Sequence, residues 1–313
     1  MTTSVAIRLG TRASALARWQ ADWVAAQLLS RGVEVVLVPI VTAGDQRQEG
    51  PIGAIGQTGV FTKEIQRALL DRRIDLAVHS LKDLPTEPVE GLCLAAVPER
   101  APAGDVLVGR TAASLDALPQ GSVVGTGSLR RRAQLLHVRP DLVLRDVRGN
   151  VDTRLRKLDE GQYDAIVLAE AGLRRLGLAD RITQTIPLEL LLPAVGQGAL
   201  GLETRSDDDA TRAAIAPLCH APTFAAALAE RAMLLVLHGG CMAPIAAWAR
   251  LDADRLLLTG RVLDPQGRTK LETSLSAALD EAESLGRRVA DDLLAQGARP
   301  LIDAARDVVR QGF

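Results

Sequence analysis

An α/β fold is expected: two similar βα lobes joined by a hinge, followed by a separate and smaller α+β domain. Three observations lead there. Short apolar strands alternate with amphipathic helical patterns through the first two thirds of the 313 residues. Tyr163-Asp164-Ala165-Ile166-Val167 matches Ile74-Asp75-Leu76-Ala77-Val78, each following a helix rich in Arg and Leu, and both halves begin with a Gly-Thr helix entrance closed by Ser14 or Ser128. Beyond Gly239-Gly240 the pattern changes to alternating strands and a long helix.

Val5 to Leu9 reads as a short strand, and Gly10-Thr11-Arg12-Ala13-Ser14 opens a helix running to about Arg31, where Gly32 stops it. Val33 to Val41 is a β-branched run of the kind found in a buried parallel strand. Thr42 to Gly59, rich in Gly and polar residues without period, is expected to be a mobile loop over a site. A helix from Phe61 to Arg73 and a strand from Ile74 to Ser80 lead into the turn His79 to Pro85. Another strand, Leu92 to Pro98, approaches a Pro/Gly break at Ala101 to Gly104.

The second lobe repeats the plan. Strand Ser122 to Gly125 enters a helix, Leu142 to Val147 is a strand, and Arg148-Gly149-Asn150 turns into a helix from Val151 to about Gly161. Leu191 to Leu200 crosses back as an extended, glycine-punctuated hinge segment. A helix after Ser206 and one from about Thr223 to His238 precede strands at Pro244 to Leu251, Arg255 to Leu263 and Thr269 to Ala277, with a long helix from near Asp280. The expected division is 1–99 with 199–217, 103–193, and 220–313.

A net charge of -1 argues against a general nucleic-acid binder, and 2% aromatic residues are too few for base-stacking platforms. No basic flank precedes a long apolar core at the N-terminus, so no signal peptide is expected, and no apolar run would span a bilayer. A cytoplasmic protein is the expectation. Cys93, Cys219 and Cys241 are an odd and scattered set, suited to reduced thiols rather than a disulfide framework or a zinc site.

Local positive charge is a different matter. Gly125-Thr126-Gly127-Ser128-Leu129-Arg130-Arg131-Arg132 lets backbone, hydroxyl and amide donors converge at a helix start, where an anion is favoured. Arg130 and Arg131 add forked donors suited to carboxylate or phosphate. Ligands of such sheets sit beyond the carboxyl ends of the strands. The turns bearing Arg12, Ser14, Ser80, Lys82, Asp83, Thr126, Ser128, Arg130, Arg131, Arg148 and Arg154 would therefore share one cleft. Cys241 follows two glycines and precedes a Met-Ala-Pro turn, which would set its thiol at a loop tip; a small buried apolar role is the alternative.

These residues resemble the porphobilinogen deaminase family from the first strand to the third domain. The likeness is carried by Thr11-Arg12-Ala13-Ser14, Phe61-Thr62-Lys63-Glu64, His79-Ser80-Leu81-Lys82-Asp83-Leu84-Pro85, Gly125 to Arg131, Arg148-Gly149-Asn150-Val151, Leu192-Pro193-Ala194-Val195-Gly196-Gln197-Gly198-Ala199 and Gly239-Gly240-Cys241. The resemblance implies two periplasmic-binding-protein-like (type II) lobes and a third domain. It also implies head-to-tail condensation of four porphobilinogen molecules into hydroxymethylbilane with loss of ammonia. A dipyrromethane cofactor would be joined by a thioether to Cys241.

Each pyrrole brings acetate and propionate groups, so the growing chain gathers negative charge. By position, the resemblance gives the cofactor carboxylates to Lys82, Arg130, Arg131 and Arg154, with Ser80, Thr126 and Ser128 as hydroxyl donors. It gives the incoming substrate or elongating chain to Arg12, Ser14, Arg148 and Arg175, with Gln197 near the ring site. Asp83 is the catalytic candidate: loss of the aminomethyl nitrogen leaves a cationic azafulvene, which a carboxylate stabilises while moving protons. Asp83 is expected to be the solitary anion of that cleft. No metal, nucleic acid or membrane is implied, and the family pattern is a monomer. This chain has Ala54 and Thr58 where many members carry lysines, and Gly127 where a serine is often found. A non-catalytic two-lobed polyanion binder or sensor is the alternative from another class.

Overall fold

The computed structural model describes residues 6–41, 62–238 and 243–310, without the side chains of 307–310. Strand β1 (Ile7–Thr11) enters helix α1 (Ala15–Leu29), whose first turn is capped by Ser14 Oγ accepting the Ala17 N–H at 3.4 Å. Then come β2 (Val35–Pro39), α2 (Lys63–Leu70), β3 (Leu76–Ser80), a single 3-10 turn at Leu81–Asp83, and β4 (Leu92–Ala96). The chain crosses through 97–104 into a second sheet.

That sheet is built from β5 (Asp105–Gly109), β6 (Val123–Gly125), α3 (Leu129–Val138), β7 (Val143–Arg145), α4 (Val151–Asp159), β8 (Ala165–Ala169), α5 (Glu170–Arg175) and the short β9 (Gln184–Thr185). A second crossover returns to β10 (Leu200–Arg205) in the first sheet.

The two sheets have one plan. Their orders are β2-β1-β3-β10-β4 and β7-β6-β8-β5-β9. In each, three strands run parallel and the fourth, delivered by a crossover, runs antiparallel to both neighbours. The second sheet is one continuous stretch of chain and β10 returns to complete the first, the arrangement of two type II periplasmic-binding-protein-like lobes. Register fixes where the crossovers begin: Leu200 pairs with Ser80, the last residue of β3, and Asp105 pairs with Ala169, the last residue of β8. Both hinge segments therefore lie at the carboxyl ends of the parallel strands. Gly10 and Gly125 hold equivalent places, since a Cβ on either would press on Ile74 or on Ile166 and Tyr163 within 2.4 to 2.9 Å.

Helix α6 (Asp209–Ile215) packs back on the first lobe, with Ile215 in the same apolar cluster as Leu9, Leu76 and Leu202. Helix α7 (Ala221–Leu237) starts the third unit, an antiparallel meander of β11 (Ile245–Asp252), β12 (Arg255–Leu263) and β13 (Lys270–Ala277) followed by α8 (Ala282–Ala295) and α9 (Ala298–Arg310). Leu256, Leu258 and Val262 alternate inward from β12 onto Met233, Leu285 and Val289, all fully buried. From the opposite face Arg261 donates to Gln134 Oε1 at 2.7 Å and Glu189 O at 2.9 Å, fastening this sheet to the second lobe.

Several expectations need correction. β2 is an edge strand with Val36 half exposed, so its β-branched run does not mark a strand buried on both faces. The helix expected from Phe61 to Arg73 spans only Lys63–Leu70, and the long helix after Asp280 is broken at Gly297, whose φ is +99°. Strand β5 was not anticipated: its four apolar or small residues after Asp105 are too few to show a period. The loop expected at Thr42 to Gly59 lies outside the described residues. No helix among the described residues is long and apolar enough to cross a membrane.

Candidate active site

Strands β1, β3, β6 and β7 end at Thr11, Ser80, Gly125 and Arg145, and the candidate residues lie at or just beyond these ends. Thr126, buried where β6 ends, accepts the Ser128 N–H at 3.3 Å, and Ser128 in turn caps α3 by accepting the Arg131 N–H at 3.4 Å. Ser14 caps α1 in the same way, so both hydroxyl hydrogens remain available as donors. Ser80, at the end of β3, accepts Gln20 Nε2 at 2.7 Å. With that lone pair taken by a donor and no acceptor met among the described residues, the Ser80 hydroxyl hydrogen can serve a ligand acceptor.

One buried carboxylate organises the floor. Asp105 Oδ2 accepts Arg130 Nη2 at 2.7 Å, while Oδ1 accepts Arg131 Nη2 at 2.7 Å, Arg131 Nε at 3.1 Å and Gln197 Nε2 at 2.8 Å. Burial alone would raise its pKa, but the two guanidinium charges outweigh that and hold it at about 2. Arg130 and Arg131 also donate to Leu192 O at 2.6 Å and Val167 O at 2.9 Å. Neither is more than 5% exposed, which makes them fixed parts of the wall rather than waving side chains. Arg130 Nε is a buried donor without a partner among the described residues.

Lys82 and Asp83 face this floor from the first lobe. Burial lowers the Lys82 pKa to about 8, with Asp83 and Asp105 opposing the shift and Arg131 and Arg130 adding to it. Arg154, on α4, is lowered to about 10 by burial and by Arg131, against Asp146 and Asp83. Charges from both lobes thus act on each other across one space. Arg154 donates Nε to Gly149 O at 2.8 Å and forms no ion pair among the described residues. Asp83 is exposed and accepts no hydrogen bond among the described residues. An unmet buried donor on Arg130 and desolvated cations at Lys82 and Arg154 fit a ligand bearing several carboxylates.

The remaining candidates are placed less uniformly. Arg175, on α5, donates to Gly198 O at 2.7 Å and lies 5.7 Å from the Trp19 ring of the first lobe; burial lowers its pKa to about 10. Arg12 is half-buried between β1 and Ser14. Arg148 pairs with Asp146 at 2.8 Å, so Asp83, with Asp105 and Asp146 nearby, is not a solitary anion. A Cβ on Gly127 would lie 2.8 Å from Asp146 Oδ1, which gives a physical reason for glycine there. Gln197 is 1% exposed and spends its amide on Ala103 O at 2.7 Å, Gly104 O at 3.2 Å and Asp105, joining the two crossovers. Cys241 lies outside the described residues. Asp105 and Asp146 were missed from sequence; a lone carboxylate opening an apolar strand straight after a Pro/Gly break was the available signal for Asp105.

Comparison with known proteins identifies the family. Residues 7–213 match the family model described as porphobilinogen deaminase, dipyromethane cofactor binding domain, and residues 224–295 match porphobilinogen deaminase, C-terminal domain. A porphobilinogen deaminase of Syntrophotalea carbinolica is 49% identical over 308 residues, covering 98% of each chain. Among solved structures, an arginine-specific periplasmic binding protein of Salmonella typhimurium is 15% identical over 68% of this chain and 91% of its own, at a TM-score of 0.39. The periplasmic VFT2 domain of Bordetella pertussis BvgS is 16% identical over 67% and 85%, also at 0.39. Those scores are too low to add to the sheet order already described. On the two family models and the near full-length relative, the chain belongs to the porphobilinogen deaminase family, transferases that carry a dipyrromethane cofactor.

Proposed function

We propose that the chain is a hydroxymethylbilane synthase, joining four porphobilinogen molecules head to tail with release of one ammonia at each addition, for tetrapyrrole and haem biosynthesis. The observation that carries this reading is the convergence of Lys82, Arg130, Arg131 and Arg154 with the carboxylate of Asp83, which has no ion pair among the described residues. When bound through Cys241, dipyrromethane supplies a terminal pyrrole carbon as the nucleophile that primes the chain. Lys82, Arg130, Arg131 and Arg154 hold its acid groups, with Ser80, Thr126 and Ser128 donating from the strand ends.

Arg12, Ser14, Arg148 and Arg175 receive the acid groups of the incoming porphobilinogen, while Gln197 acts through the hinge. Protonation of the aminomethyl nitrogen lets ammonia leave with the C–N bonding pair. Asp83 would stabilise the resulting cation. After the new carbon–carbon bond forms, the attacked carbon loses its proton, and a carboxylate is suited to carry it. The reading is of a cytoplasmic monomer that needs neither nucleic acid nor membrane.

Incubation with porphobilinogen tests the reading. Ammonia should appear in step with substrate loss, together with a linear tetrapyrrole that cyclises on standing. Binding without ammonia release would instead leave a non-catalytic polyanion binder.

A further inference from the structure

The Asp105 carboxylate is unexposed and sits at the first residue of β5, where the first crossover enters the second lobe. Its two oxygens take four donors: one from Arg130, two from Arg131 and one from Gln197, which itself holds Ala103 O and Gly104 O of that crossover. Two adjacent arginines on one helix would otherwise repel and splay. A shared carboxylate turns them into a fixed pair, and backbone acceptors at Leu192 and Val167 complete their orientation.

We propose that Asp105 is the positioning residue of the cofactor-carboxylate site: an internal anion that sets Arg130 and Arg131 in their receiving geometry before the cofactor arrives. This rests on the reading of those arginines as cofactor ligands. Asp105 does not itself meet the cofactor. Its effect comes from orienting the two guanidinium groups and from pinning them, by way of Gln197, to the hinge. Arg130 Nε has no hydrogen-bond partner among the described residues. A preset pair of guanidinium groups is suited to accept a further carboxylate.

The test uses the full chain produced without porphobilinogen, to which porphobilinogen is added while intact mass is followed over time. Asp105→Asn keeps shape and removes charge. It should remain folded by circular dichroism yet acquire the covalent cofactor at least about tenfold more slowly than the parent. Asp105→Glu, which restores the charge at a slightly displaced position, should recover part of that rate. Rescue by charge separates positioning from mere packing. A folded Asp105→Asn chain that loads as fast as the parent overturns the proposal, and so does failure of both variants to fold, since Asp105 would then be structural only. If the parent itself gains no mass, the proposed function fails instead.

Discussion

Glu230 Oε1 lies 2.7 Å from Arg100 Nη1, and the Glu230 carboxylate is completely buried. The same carboxylate accepts the Gly196 N–H at 2.7 Å and the Ala249 N–H at 2.8 Å, while Arg100 Nε donates to Gln197 O at 2.7 Å. One side chain of α7 therefore ties the third domain to both crossovers between the lobes. Glu230→Ala would strand a largely buried guanidinium and two backbone donors. A loss of about 3–5 kcal/mol of stability is expected, read as a lower urea midpoint. A midpoint equal to the parent's would show that the domain is held by other contacts.

Asp83 makes the opposite prediction. It is exposed, on a single 3-10 turn, and accepts no hydrogen bond among the described residues. Asp83→Asn should leave the stability within about 0.5 kcal/mol of the parent's. Ammonia release should fall by roughly a hundredfold to a thousandfold, the scale of losing one preorganised electrostatic group. Turnover near that of the parent would remove Asp83 from the chemistry.

Lys82 predicts a dependence on alkaline pH. Burial is the main cause of its lowered pKa, about 8 against an ordinary 10.5, so the folded state holds the proton less tightly than the unfolded state. Between those values the unfolded chain binds more protons, and stability therefore rises with pH. Binding changes in the other direction: the ammonium that attracts carboxylates is lost above about 8. Affinity of the cofactor-free chain for a polycarboxylate should decline there, and Lys82→Met should flatten that part of the profile. A parent profile unchanged through this range would contradict the assignment.

Asp75 governs the acid side of the first lobe. It stands just before β3, receiving Arg8 Nε at 2.8 Å, Arg8 Nη2 at 2.7 Å and Arg205 Nη2 at 3.0 Å. Burial raises its pKa, but these arginines outweigh burial and lower it to about 2 from 3.8. The stability it contributes is complete above 3.8 and lost as pH falls through about 2. Asp75→Asn should reduce the slope of stability against pH in that interval. An identical slope would show that Asp75 is not differentially paired in the folded chain.

The repeated lobes were legible because Ile74 to Val78 and Tyr163 to Val167 put the same apolar pattern after the same kind of helix, and these become β3 and β8 in equivalent places. The meander of the third domain was legible for a related reason, its strands being long enough to alternate. The antiparallel crossover strands were harder. β5 and β10 are short, buried on both faces and paired with strands distant in sequence, so nothing local distinguishes them from hinge segments. The cations of the cleft were readable from strand ends, but their anions were not. Asp105 is one carboxylate among 38 acidic residues, and only the return of Arg130, Arg131 and Gln197 to it in three dimensions reveals its place.

Intact mass after brief exposure to porphobilinogen bears most directly on the proposed chemistry. A ladder of equal additions, each one porphobilinogen less one ammonia, should rise from a chain already carrying two linked pyrroles, and Cys241→Ser should show the bare polypeptide alone. A single peak at the bare mass in the parent, unchanged by substrate, would contradict it.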